Sequence, residues 1–263
     1  MSLSSERAAL SLHNMIREMQ RKNIELSRIV KCSTQLIMSG ATPNSIPRSV
    51  LNGLINSQNA DGGFVSNTDT IWNIKFLEYY PELSIERKQA VEWLRNQQKD
   101  GCLRRSIRDM TRIPVTGLAY YLLPELCVEN NNLYCLESLW KSEMYSLTYK
   151  ASYTLMAFKR NNYVPNDKAL ISESMKWLEC QQEIDGGFAP WKGHPVGTNI
   201  YCTAVSCLGL LSYPEYCSST TIDRAYDFMA NTQLKNGLWA YHELEDGAAW
   251  GLRAMVEIEK ERG

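Results

Sequence analysis

Two carboxylates stand where chemistry could begin: Asp69, within Ser66-Asn67-Thr68-Asp69-Thr70, and Asp246, within Glu245-Asp246-Gly247. Each lies where a turn meets an apolar run, the place where a helix N-terminus forms, and there the backbone dipole draws negative charge and polar side chains to the edge of an apolar interior. Junctions of the same kind carry Thr68, Arg112, Tyr149, His194, Asn199, Tyr201, Cys202, His242 and Trp250. A carboxyl beside aromatic faces can give up a proton and then shelter the cation that follows, because ring faces stabilise positive charge. Taken singly, each of these aromatics is as simply explained by core packing. A second constellation is Arg104, Arg105, Arg108 and Arg112, four guanidiniums within nine residues. Arg pairs bidentately with phosphate oxygens, so this loop could grip a diphosphate; the plainer reading is a solvated basic loop partly neutralised by Asp100 and Asp109.

The elements that must position these residues repeat. Gln182-Glu183-Ile184-Asp185-Gly186-Gly187-Phe188 recurs as Gln58-Asn59-Ala60-Asp61-Gly62-Gly63-Phe64, and more weakly at Gln97 to Gly101 and Gln233 to Trp239. In each copy a helix ends, a Gly takes the left-handed conformation that caps it, and the chain reverses. The Gln is expected to bond backbone groups that the helix end leaves unpaired. Helices before a hinge carry charge on one face, whereas those after it are apolar nearly all round, as helices buried on both sides must be. Thus Thr198 to Leu211 should be inner, and Asn166 to Gln182, with Lys168, Glu173, Lys176 and Glu179, outer. The pattern predicts an all-α chain of about twelve helices in six hairpins, a closed (α/α)6 toroid forming one domain over 1–263, with an open helical solenoid as the alternative. N-terminal ends of the inner helices would then crowd one mouth.

A helix ending in an aromatic and Leu, followed by Gln and then Asp-Gly-Gly-aromatic, resembles the "QW" repeat of squalene-hopene and oxidosqualene cyclases and the related repeat of protein prenyltransferase β subunits. The matching residues are Trp93-Leu94 with Gln97, Trp177-Leu178 with Gln181 and Gln182, and Phe228-Met229 with Gln233. The resemblance implies a toroid with a hydrophobic lumen. In class II cyclases an Asp-x-Asp-Asp-Thr-Ala signature supplies the acid; here Thr68 stands at the acid position and only Asp69 and Thr70 match. Asp69 is nonetheless the first choice of acid, with Asn67 and Thr68 placed to orient its carboxyl, and Asp246 the second, in a wetter loop. The prenyltransferase zinc motif is matched by Asp246-Gly247-Ala248, with Ala in place of Cys, and by Thr198 to Cys202 without a His. The motif thus lacks two ligands where zinc needs three well-placed donors, so no cofactor is assigned, with a zinc site of His194, Cys202 and Asp246 as the alternative.

Composition narrows the classes. The chain has 263 residues, a formal net charge of −1 and both signs interspersed, which points neither to nucleic acid nor to an acidic tail. Eight Cys with no Cys-x-x-Cys spacing and no leader read as reduced thiols of a cytoplasmic protein, without disulfides. The uncharged run from His194 to Pro214 contains Pro, Gly and Asn and reads as a buried helix, not a membrane span. The leading expectation is a small terpene-cyclase-like enzyme that cyclises a hydrophobic, isoprenoid substrate by acid-initiated chemistry, with a prenyl diphosphate as the substrate that the loop of Arg105, Arg108 and Arg112 would suit. Its rivals are a non-catalytic toroid that binds a lipid or a protein partner, and a prenyltransferase β-like subunit with a degenerate zinc site.

Overall fold

The computed structural model describes residues 2–106, 108–127 and 130–262. Among them the regular structure is helical, with two isolated bridges, Lys99 to Cys102 and Arg104 to Thr111, in one loop. Six helices, α1 (Leu3–Arg21), α3 (Arg48–Ser57), α5 (Ser84–Asn96), α7 (Asn130–Glu143), α9 (Leu170–Cys180) and α11 (Ser219–Thr232), alternate with α2 (Leu26–Met38), α4 (Asn67–Leu77), α6 (Ile113–Leu122), α8 (Thr148–Arg160), α10 (Ile200–Leu211) and α12 (Leu244–Arg262). The even-numbered helices pack side by side in chain order, and α12 packs back against α2, so the inner ring is closed. Charge sets the layers: α10 buries ten of its twelve residues, whereas α9 buries only Leu170, Ser174, Met175 and Leu178 and turns its charged face outward.

The repeated Gln does more than finish its own helix. Gln58 Nε2 donates to Gly62 O at 2.8 Å and to Glu86 O of α5 at 2.9 Å, so one side chain ties its hinge to the next outer helix. Gln182 does the same with Gly186 O and Thr221 O of α11, and Gln233 with Gly237 O and Ser4 O of α1. The last of these staples joins the final repeat to the first. The aromatic of the following outer helix lies flat against the hinge: a Cβ on Gly63 would come within 2.3 Å of the Trp93 ring, and one on Gly187 within 2.8 Å of the Phe228 ring. Only Gly leaves room for that approach.

Closure is completed at the termini. The Glu259 carboxylate of α12 accepts from Ser2 N and Ser5 Oγ at the start of α1 and from Tyr226 OH of α11, each at 2.9 Å. One expectation fails in the loop after α5: Cys102 and Cys135 form a disulfide that ties this loop to α7. Cys spacing does not reveal it, because the partners are 33 residues apart and meet only when α7 folds against α6. The other six cysteines are free thiols. No helix among the described residues is long and apolar enough to cross a membrane.

Candidate functional site

Inner helices deliver their first two turns to one mouth, and aromatic rings converge there in two layers. The deeper layer is Trp72 of α4, Tyr153 of α8 and Trp250 of α12, each at most 3% exposed. Trp250 meets Trp72 edge-on at 5.9 Å between ring centres and Tyr153 at 6.0 Å, the T-shaped arrangement that ring quadrupoles favour. With so little accessible surface, these three rings are closely packed at this depth of the barrel. The outer layer is half-buried: Tyr149, Tyr201 and Tyr241 stand around the opening, with Tyr201 stacked on Tyr241 at 5.8 Å and its hydroxyl 3.1 Å from that of Tyr153. Burial pushes the phenols of Tyr153, Tyr201 and Tyr241 well up, and the nearby Asp246 carboxylate adds to the shift at all three.

Asp246 is therefore the carboxylate that this aromatic cluster feels. It lies in the first turn of α12, its side chain 13% exposed, with Oδ1 2.6 Å from Lys31 Nζ of α2. The contact is an ion pair that lacks hydrogen-bond alignment. Lys31 Nζ also stands 5.9 Å from the centre of the Trp72 ring, and the adjacent Glu245 pairs with Arg28. The wetter loop expected for Asp246 is not what forms. Trp250 Nε1 is buried without a hydrogen-bond partner.

Asp69 is occupied otherwise. Ser66, not Thr68 or Asp69, is the N-cap of α4: Ser66 Oγ accepts from Asp69 N at 3.1 Å and donates to Asp69 Oδ2 at 2.6 Å. This reciprocal capping exchange satisfies the helix end. Asn67 turns away to donate to Arg104 O, and Thr68 is half-buried in the same turn. Asn199 caps α10, its Oδ1 accepting from Cys202 N at 2.9 Å. Burial pushes the Cys202 thiol up to about 11, against hydrogen bonds with Asn199 and Thr148, so it is a thiol at neutral pH.

The remaining expected residues scatter. His194 lies edge-on against Trp191, and its Nδ1 accepts from Val196 N; His242 is exposed beside the Tyr241 ring. Among the described residues no three His, Cys, Asp or Glu side chains converge as a metal site, and His194, Cys202 and Asp246 do not form one. Arg105 and Arg108 are exposed, while Arg112 pairs with Asp109 at 2.6 Å. Arg112 also borders, with Tyr149, Lys150 and Glu143, a cleft of about 580 Å³ at the starts of α6 and α8. Of the expected residues, Tyr149, Tyr201, Asp246 and Trp250 come together, and beside them stand Lys31, Trp72, Tyr153 and Tyr241, which the sequence reading did not single out. Lys31 had a signal, being the one charge between Arg28 and Arg48.

Comparison with known proteins follows this geometry. A type II terpene cyclase from Scytonema, solved in complex with geranylgeranyl dihydroxybenzoate, superposes with a TM-score of 0.76 over 99% of both chains at 13% identity. The two chains share one fold, an α/α toroid. In sequence, lanosterol synthase of Pneumocystis carinii is 24% identical over 216 residues, which takes in 73% of this chain and 28% of that one. The chain therefore spans little more than a quarter of that relative's length. No protein-family model matches the sequence. The same toroid also superposes, at a TM-score of 0.63 and 9% identity, on a possible member of the GH105 family from Klebsiella pneumoniae, covering 100% of this chain and 95% of that one. Fold alone does not choose between such neighbours, and the residues at the mouth must do so.

Proposed function

We propose that the chain is a small terpene-cyclase-like enzyme that takes a hydrophobic, isoprenoid chain against the aromatic mouth of its inner ring and starts the reaction with the Asp246 carboxyl. The observation that carries this reading is the convergence of six aromatic rings from α4, α8, α10, α12 and the turn before α12 around one carboxylate. Such walls stabilise a cation while excluding water from it. Asp246 replaces Asp69 as the candidate acid because Asp69 is held in the α4 cap. Paired with Lys31, Asp246 is a carboxylate and must take up a proton before it can donate one; an entering chain that excludes water from the pair favours transfer from the Lys31 ammonium, which leaves a neutral amine beside the acid.

Since Trp72, Tyr153 and Trp250 fill the centre, the substrate is placed in the outer layer, bounded by Tyr149, Tyr201 and Tyr241, and not deep in the lumen. The same packed centre supports a second reading, a non-catalytic toroid that holds a lipid at its mouth without converting it. Binding is tested by titrating the full chain with geranylgeranyl dihydroxybenzoate and following tryptophan fluorescence. The expected result is saturable quenching, weakened about tenfold in a Tyr149→Ala/Tyr241→Ala double variant as two ring contacts are lost. No saturable change, or equal affinity in the variant, removes the mouth as the binding site.

A further inference from the structure

The opposite end of the barrel, where the inner helices finish, holds a second cleft of about 240 Å³ that the reading above does not use. Its walls are Met38 of α2, Lys75 of α4, Tyr79 just beyond α4, Tyr121 of α6, Arg160 of α8 and Arg253 of α12. Five cations gather here against three carboxylates: Lys75 and Arg87 share Glu78, at 2.8 and 3.6 Å, Arg87 also pairs with Glu125, and Arg253 and Lys260 share Glu257, at 2.7 and 2.8 Å, while Arg160 meets no carboxylate among the described residues. Helix C-termini attract cations, and that explains basic residues in the last turns of α4 and α8. Arg253, inside α12, serves the end of α2 in the same way, its Nη1 donating to Met38 O, but nothing there accounts for its Nε, which is buried without an acceptor. A buried guanidinium N–H that nothing satisfies is costly, and an anion is its ordinary partner.

We propose that this cleft binds a phosphate group, gripped by Lys75, Arg160 and Arg253, with the Tyr79 and Tyr121 hydroxyls as further donors. Burial, the Glu78 carboxylate and a neighbouring phenol push Tyr79 up to about 12 against the pull of Arg253, so its hydroxyl keeps its proton across the physiological range. The space suits one tetrahedral dianion, either inorganic phosphate or the head of a phosphomonoester. The proposal is independent of the cyclase reading, because the two clefts lie at opposite ends of the inner ring.

Isothermal titration of the full chain at low ionic strength, with inorganic phosphate in one arm and glycerol phosphate in the other, tests it. The expected result is saturable binding of at least one of them with Kd below about 1 mM. Replacing the exposed Arg160 with Gln should weaken it about fivefold or more, as should Lys75→Gln, and Lys176→Gln on the outer face of α9 should leave it unchanged. Binding in both arms assigns the site to phosphate itself, and binding of the ester alone assigns it to a head group. Absence of binding in both arms overturns the proposal, as does affinity that Arg160→Gln and Lys75→Gln leave unaltered in variants whose thermal unfolding matches the parent.

Discussion

Asp246 of α12 and Lys31 of α2 meet at 2.6 Å, so the last inner helix is paired with the first across the seam of the ring. Both side chains are largely withdrawn from water, 13% and 26% exposed, and removing one partner strands the other's charge. Lys31→Met should lower unfolding free energy by about 2 kcal/mol, and Lys31→Met/Asp246→Leu by less than that single variant. Urea unfolding of the variants and parent checks the cycle; additive losses would show that the two charges do not interact.

Gln182 joins two repeats through Gly186 O and Thr221 O in a buried hinge. Gln182→Ala leaves both carbonyls without this donor and should cost about 2 kcal/mol. Gly186→Ala should cost more, since φ is +88° and the new Cβ would lie 2.4 Å from Arg224 O. Gly193→Ala, at φ +78° with open space around it, should cost only about 1 kcal/mol. Thermal denaturation of the three variants orders them.

Glu259 carries the pH dependence of closure. Burial alone would raise its carboxyl, but hydrogen bonds from Ser2, Ser5 and Tyr226 prevail and hold it below its usual value. A folded pKa below the unfolded one contributes stability above the unfolded pKa and loses it as pH falls through the folded pKa. Glu259→Gln should therefore be less stable than the parent by about 1 kcal/mol at neutral pH, and the gap should close as pH falls through and below the usual carboxylate range. Denaturant midpoints measured across that range decide it; a constant gap would show that the clasp does not depend on ionisation.

The Cys102–Cys135 disulfide closes a loop of 33 residues around α6. Cys102→Ser/Cys135→Ser should lose about 4 kcal/mol of stability, the chain-entropy value for that span. Thiol titration of the unfolded parent without reductant should count six reactive cysteines, not eight.

The toroid was legible because its information is periodic: the Gln and Asp-Gly-Gly hinges recur, and charge separates α9 from α10. Placing the inner-helix starts at one mouth followed from that count. What could not be read were contacts between elements far apart in sequence, such as Lys31 with Asp246, Trp72 with Trp250 and Cys102 with Cys135. At Asp69 the role was not legible for a local reason. A carboxylate three residues after Ser66 is as good a capping partner as a catalytic group, and the cap claims it.

The central claim is that Asp246, at the aromatic mouth, donates the proton that starts cyclisation. It is tested most directly by incubating the parent, Asp246→Asn and Asp69→Asn with geranylgeranyl dihydroxybenzoate in deuterium oxide and analysing the products by mass spectrometry. The account predicts a cyclised product carrying one carbon-bound deuterium from the parent, a rate reduced about a hundredfold or more in Asp246→Asn, the scale of a lost general acid, and little change in Asp69→Asn. A deuterated product from Asp246→Asn at the parental rate, or its loss in Asp69→Asn alone, would contradict the account; bound but unconverted substrate in all three would leave the toroid a binding protein.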